Sequence, residues 1–168
     1  PKERDSDAVQ GYAGTTVEEE KLGDVGGRAK RTEHGTRIVG EGRRRSRLED
    51  RAPENVNFED FLPREELPGF LSGIDVYCIG SESDTFCLAS LEANLCGTPV
   101  LAPEVSPFTG TIRGEQGELY KPGDLDDMEQ KLEKLLGTDL NPRSEASRYS
   151  LEKTIDRPET LYRQVAHF

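Results

Sequence analysis

The sequence has 168 residues, of which 22 are Lys or Arg and 33 are Asp or Glu, for a net charge of −11 at neutral pH. Only 33% are hydrophobic and 7% aromatic, with no Trp, a lean supply for the core of one ordinary domain. The acidic balance argues against non-specific nucleic-acid binding and against docking on anionic lipid, both of which need Lys and Arg opposite phosphate, and no apolar run approaches the roughly 20 residues of a transmembrane segment.

The charge is unevenly placed. Residues 1–50 hold eleven basic and eleven acidic side chains, so residues 51–168 carry the whole −11. With fifteen Arg against seven Lys, the surface resembles that of proteins from salt-loving organisms. An ordinary acidic protein fits the same numbers, since net charge speaks to solubility rather than fold. Cys78, Cys87 and Cys96 lack CxxC spacing, and an odd count with no signal peptide points to free thiols in a reducing compartment, hence the cytoplasm. No histidine lies near them, so no metal site is expected.

Residues 1–36 offer few core formers and no sustained strand or helix period. They are expected to be a flexible or poorly packed segment, with one short helix near Val17–Leu22. The packed domain is expected over residues 37–168. It opens with a β-prone run, Thr36 to Val39, and then a glycine turn, Gly40-Glu41-Gly42. A basic helix-compatible stretch follows from Arg43 to Arg51. Asn55 to Phe58 reads as a second strand. Helical turns are expected around Pro63–Leu67 and from Pro68, ending at Gly73. Ile74 to Ile79 is a strand bounded by glycines.

Phe86, Leu88, Leu91 and Leu95 then recur at helical spacing, with Gly97 and Pro99 as stop signals. Val100 to Ala102 is a short buried strand. Residues 74–102 thus read as one βαβ unit, a parallel strand pair with a right-handed crossover. After a loop holding Pro103, Pro107 and Gly110, Glu118 to Tyr120 forms another strand. Asp124 caps a helix whose Leu125, Met128, Leu132, Leu135 and Leu136 share a face, and Gly137 ends it. Two helical pieces separated by Pro158 are expected over Arg143–Phe168. Alternating short strands and helices define an α/β, doubly wound parallel sheet of Rossmann type.

Ligands of such sheets bind beyond the carboxyl ends of the strands. Here the strand ending at Ile79 runs into a polar loop, Gly80 to Cys87, and then into a helix whose first amides and positive dipole end suit a phosphate. Glu92, mid-helix, lies two turns beyond Thr85 and on the same face. It could accept hydrogen bonds from ligand hydroxyls, or be a solvated helix glutamate.

The run SESDTFCLASLEANLCGTPVLA, residues 81–102, resembles the signature of retaining nucleotide-sugar glycosyltransferases of the two-domain GT-B type, group 1 or family 4. Asp84, Phe86, Cys87, Leu88, Glu92, Ala93, Gly97, Pro99 and Val100 fall on its positions. The flanks agree at Ile38–Gly42, at Val56–Phe58 with Phe61–Pro63, and at Gly114–Leu119 with Pro122–Asp124. The resemblance covers about residues 36–163 and implies the C-terminal, donor-binding half of a GT-B enzyme. Glu92 would bond the ribose hydroxyls, and Asp84 the donor sugar. The backbone of Phe86, Cys87 and Leu88 would hold the sugar or diphosphate, Gly40 and Gly42 would admit the donor closely, and the backbone around Phe61 and Leu62 would flank the base.

Three departures stand out. Asp84 replaces the commoner Glu, Cys87 replaces Gly, and residues 1–36 show no strand bearing the family's upstream Arg and Lys. No catalytic residue is therefore assigned on this chain, and arginines near Gly40–Gly42 are candidates to offset the diphosphate charge. The family implies a nucleotide-diphosphate sugar as substrate, no cofactor, and an acceptor-binding N-terminal domain in cis or in trans, without which the chain is expected to be inactive. The alternative is a non-catalytic nucleotide-sugar-binding module completed by another chain. An epimerase- or phosphorylase-type GT-B enzyme fits less well, because those families lack this motif run.

Overall fold

The structure, a computed structural model, describes residues 8–12, 35–40, 45–80, 82 and 87–146. Among them, six strands form one sheet: β1 (Ala8–Tyr12), β2 (Gly35–Val39), β3 (Val56–Glu59), β4 (Val76–Cys78), β5 (Val100–Pro103) and β6 (Gly117–Tyr120). The helices are α1 (Arg45–Glu49), α2 (Leu67–Leu71), α3 (Leu88–Cys96), α4 (Phe108–Thr111), α5 (Leu125–Leu136) and α6 (Pro142–Ala146), with a 3-10 turn at Gly114–Gln116. The strand order is β3-β2-β1-β4-β5-β6, and every neighbouring pair is parallel. This is the doubly wound Rossmann arrangement, as expected.

The central strand is the one the sequence hides. β1 pairs with β2 on one side, Val9 opposite Thr36, and with β4 on the other, Gln10 opposite Tyr77. Residues 8–12, expected within a poorly packed segment, instead join the two halves of the sheet. The run AVQGY carries no apolar alternation. A strand enclosed by two neighbours is held by two ladders of backbone bonds, and these need no side-chain pattern. The expected helix near Val17–Leu22 and the helical pieces beyond Ala146 lie outside the described residues.

The sheet buries both faces, as parallel sheets do. On one face Tyr77, Ile79, Val100 and Ala102 pack with Phe70 and Phe108. On the other, Val76, Cys78 and Leu101 pack with Met128, Leu132 and Leu135 of α5. The helix α5 starts where expected: the Asp124 carboxylate accepts the Asp127 N–H at 3.0 Å. Residues Phe108–Thr111, expected as loop, form the short helix α4 around the buried Phe108.

The amino edge of the sheet is tightly determined. Asn94, near the end of α3, is buried, and its amide donates to Thr98 O at 3.0 Å and to Gln116 O at 2.8 Å. The Thr98 hydroxyl donates to Leu71 O at 2.5 Å. Gly117 sits at φ +150°, where a Cβ would lie 1.9 Å from the Val100 carbonyl oxygen. These contacts set the rotation of α3. Ser90, Leu91, Ala93 and Asn94 turn inward, while Leu88 and Leu95 are 64% and 48% exposed. The leucine spacing therefore does not mark the buried face on its own. Two polar residues, Ser90 and Asn94, are buried because each finds backbone partners inside.

Candidate functional site

The strand order reverses at β1 and β4, so the crevice beyond their carboxyl ends is where a ligand is expected in this fold. Four described segments border that edge: the turn after β2, the loop after β3, the exit of β4 and the start of α3.

Beyond β2, Gly40 has φ +136°, a backbone state that favours glycine. Its N–H donates to Glu59 O at 3.1 Å. Arg45 fastens the same corner, its Nη1 donating to Gly40 O at 3.2 Å, to Glu59 O at 3.2 Å and to Asp60 Oδ1 at 2.8 Å. Its Nε donates to Glu49 Oε1 at 2.7 Å. The Glu49 hydrogen bond, together with the charges of Glu49 and Asp60, raises the guanidinium pKa above its usual value. Arg45, one of the arginines expected to offset ligand charge, is therefore committed to the chain itself. Arg37 braces the strands below, donating to both carboxylate oxygens of Glu59 and lying over the Phe70 ring at 4.8 Å. Gly42 lies outside the described residues.

Beyond β3, Phe61 is 67% exposed, and Leu62 packs partly against the core. Beyond β4, the chain crosses from Ile79 to Cys87, which precedes α3. Cys87 is fully buried, with φ +56° and ψ +41°. A cysteine thus holds the left-handed conformation that glycine adopts most easily, at a strain on the order of 1–2 kcal/mol. The Cys87 carbonyl accepts from the Ser90 hydroxyl at 2.7 Å and from the Ser90 and Leu91 amides. Among the described residues no side chain caps the start of α3, whose positive dipole end points toward the carboxyl edge.

Glu92 lies one turn into α3, exposed, on the stripe shared by Leu88 and Leu95. It makes no hydrogen bond or ion pair among the described residues. Asp84 and Phe86 lie outside them. The structure therefore brings Gly40, Phe61, Leu62, Cys87, Leu88 and Glu92 to the carboxyl edge or the helix leaving it. Sequence reasoning missed Tyr120, whose hydroxyl donates to Ile79 O at 3.0 Å; its only signal was a phenol closing a strand next to one that ends in proline. No group of three His, Cys, Asp or Glu among the described residues is placed to hold a metal, and none of their helices is long and apolar enough to cross a membrane.

A doubly wound, Rossmann-type parallel sheet with an exposed helical glutamate beyond its carboxyl edge defines a class of α/β domain whose ligands sit at that edge. Residues 29–153 match the family described as glycosyl transferases group 1, and the chain belongs to that family. A GDP-mannose-dependent alpha-(1-6)-phosphatidylinositol dimannoside mannosyltransferase of Mycobacterium tuberculosis is 37% identical over 82 residues, 48% of this chain and 22% of that protein. Sucrose-phosphate synthase from Thermosynechococcus elongatus superposes with TM-score 0.79 at 22% identity, over 98% of this chain and 46% of that one. The pneumococcal O-GlcNAc transferase GtfA, solved with UDP and GlcNAc, superposes with TM-score 0.71 at 16% identity, over 98% of this chain and 37% of that one. The chain thus spans less than half the length of each.

Proposed function

We propose that this chain is the donor-binding half of a retaining glycosyltransferase and holds a nucleotide-diphosphate sugar at the carboxyl edge of its sheet. The observation that carries this reading is the junction of β4 and α3. A left-handed Cys87 starts an uncapped helix, with Glu92 exposed one turn in, inside the family's motif run. Glu92 accepts the ribose hydroxyls. The amides of Phe86, Cys87 and Leu88 hold the diphosphate or sugar, and Asp84 holds the sugar hydroxyls. Gly40 and Gly42 let the backbone approach the donor, and the backbone around Phe61 and Leu62 flanks the base.

Such a site accelerates transfer by fixing the donor's geometry and stabilising the charge that develops on the departing diphosphate. The helix start and backbone amides act on that charge, since Arg45 is engaged elsewhere. The acceptor half of the cleft, in cis or in trans, completes the enzyme, and the chain by itself transfers no sugar. The mycobacterial relative is named as GDP-mannose-dependent and GtfA was solved with UDP, so the test uses sugars of both nucleotides. Calorimetric titration of the chain with UDP-glucose, GDP-mannose and an ADP-sugar, at low and high salt, is expected to give saturable binding to one of them. A folded sample that binds none overturns the reading. Glu92→Ala is expected to weaken binding by about 1–3 kcal/mol, the range for a lost charge-assisted hydrogen bond.

A further inference from the structure

Where β4 leaves the sheet, its ladder to β5 stops one bond short. The Tyr77 N–H donates to Pro99 O at 2.9 Å and the Ile79 N–H donates to Leu101 O at 2.8 Å. In a parallel ladder, a residue that donates to one carbonyl accepts from the amide two residues further along the same neighbour. For Ile79 that residue is Pro103, which has no N–H. The Ile79 carbonyl is thereby deprived of its ladder donor at a buried residue, where an unsatisfied acceptor is costly.

Tyr120 fills the gap. It closes β6, directly opposite Pro103 in register, and its hydroxyl reaches past β5 to donate to Ile79 O at 3.0 Å. The ring is buried among Cys78, Leu101 and Met128, so the phenol is held in place from below. The residue that removes the donor and the residue that replaces it face each other on adjacent strands.

We propose that Tyr120 is a positioning residue for the nucleotide-sugar site: its hydroxyl stands in for the missing amide of Pro103 and fixes the direction in which the chain leaves β4 at the carboxyl edge of the sheet. The inference rests on the donor reading above. Two described residues flank the motif run that carries the proposed donor contacts. One is Cys87, whose side chain is buried and whose carbonyl accepts from Ser90 and Leu91. The other is Ile79, held by Leu101 on its N–H side and by Tyr120 on its carbonyl side. Removing the Tyr120 hydroxyl leaves the core filled and releases the carbonyl of Ile79, the last strand residue before Gly80.

Tyr120→Phe removes the hydroxyl alone, and Pro103→Ala restores the ladder amide. Binding of UDP-glucose and GDP-mannose to the 168-residue chain is measured for the parent, each single variant and the pair, alongside the carbonyl carbon chemical shift of Ile79. Tyr120→Phe is expected to weaken donor binding about tenfold, the scale of one lost buried hydrogen bond, and to move the Ile79 shift. Pro103→Ala is expected to leave affinity unchanged, and the double variant to recover both affinity and shift. Recovery by an amide on a different strand is something a general packing defect at Tyr120 does not give. If the parent binds donor and Tyr120→Phe binds it equally well, the positioning role is overturned while the donor reading stands. If the double variant stays weak, the substitution of hydroxyl for amide is overturned. If a folded parent binds no donor, both readings fail together.

Discussion

The two edges of the one sheet are built by opposite rules. At the amino edge, the polar side chains of Asn94, Thr98 and Gln116 are buried and hydrogen-bonded to backbone or to one another, and Gly117 lets strands meet at a distance no side chain permits. At the carboxyl edge, two residues hold positive φ, Gly40 and Cys87, a helix starts without a cap, and Phe61, Leu88 and Glu92 meet solvent. The first edge buries its polar side chains, and the second leaves Glu92 exposed to solvent. One helix, α3, joins the two: fixed near its end by Asn94, it carries Glu92 at its middle.

That contrast can be broken most readily at Gly117. Gly117→Ala is expected to lower stability by about 3 kcal/mol or more, the upper range for overpacking, as a shifted urea midpoint. An unchanged midpoint would remove the claim that the amino edge is close-packed. Asn94→Ala is next, with an expected loss of about 2–3 kcal/mol from buried carbonyls left without their donor.

Glu92→Ala tests the other edge, and its pattern should be inverted. Stability is expected to stay within about 0.5 kcal/mol of the parent, as for an exposed position, while donor binding weakens. A comparable loss of stability would make Glu92 part of the scaffold instead. The smallest effect concerns Glu118, whose carboxylate accepts hydrogen bonds from Lys131, at 2.9 Å, and from Lys134. Partial burial raises its pKa, and the two lysines outweigh this, so the net shift is downward. A carboxylate with a lowered folded pKa stabilises the fold above the ordinary carboxylate range, and the benefit is lost as the pH falls through the folded pKa. Glu118→Gln is expected to flatten the fall in urea midpoint between about pH 5 and pH 3, by less than about 1 kcal/mol because the pair is partly exposed.

The βαβ unit over residues 74–102 was legible because its signals agree: glycine-bounded strands, a helix-forming run, and Gly97 with Pro99 at the stop. The helix starting at Leu125 was legible from its cap and apolar face. What could not be read was whatever partners outside the local sequence decide. β1 is central through two ladders that leave no trace in AVQGY. Leu88 and Leu95 share helical spacing with the buried Leu91 yet are exposed, because Asn94 finds its partners on Thr98 and Gln116. Arg45 looked available near the glycine turn until carbonyls and carboxylates of two strand ends claimed it. At the site, Glu92, Gly40 and Cys87 were singled out by motif position, while the hydroxyl of Tyr120 depends on a register that only the folded sheet defines.

The three free cysteines give the chain a built-in clock for its own opening. Thiolate is the species that alkylates. Cys78 is completely buried inside β4, and its thiol is pushed up to about 12 by that burial, so it reacts only when the sheet parts. Cys96, partly exposed at the end of α3, reacts from the folded state. Cys87, buried at the start of α3, reports on that junction separately. The ratio of Cys78 to Cys96 alkylation rates therefore measures the free energy of sheet opening, and slower labelling of Cys87 alone on addition of nucleotide sugar would locate the ligand without any engineered probe.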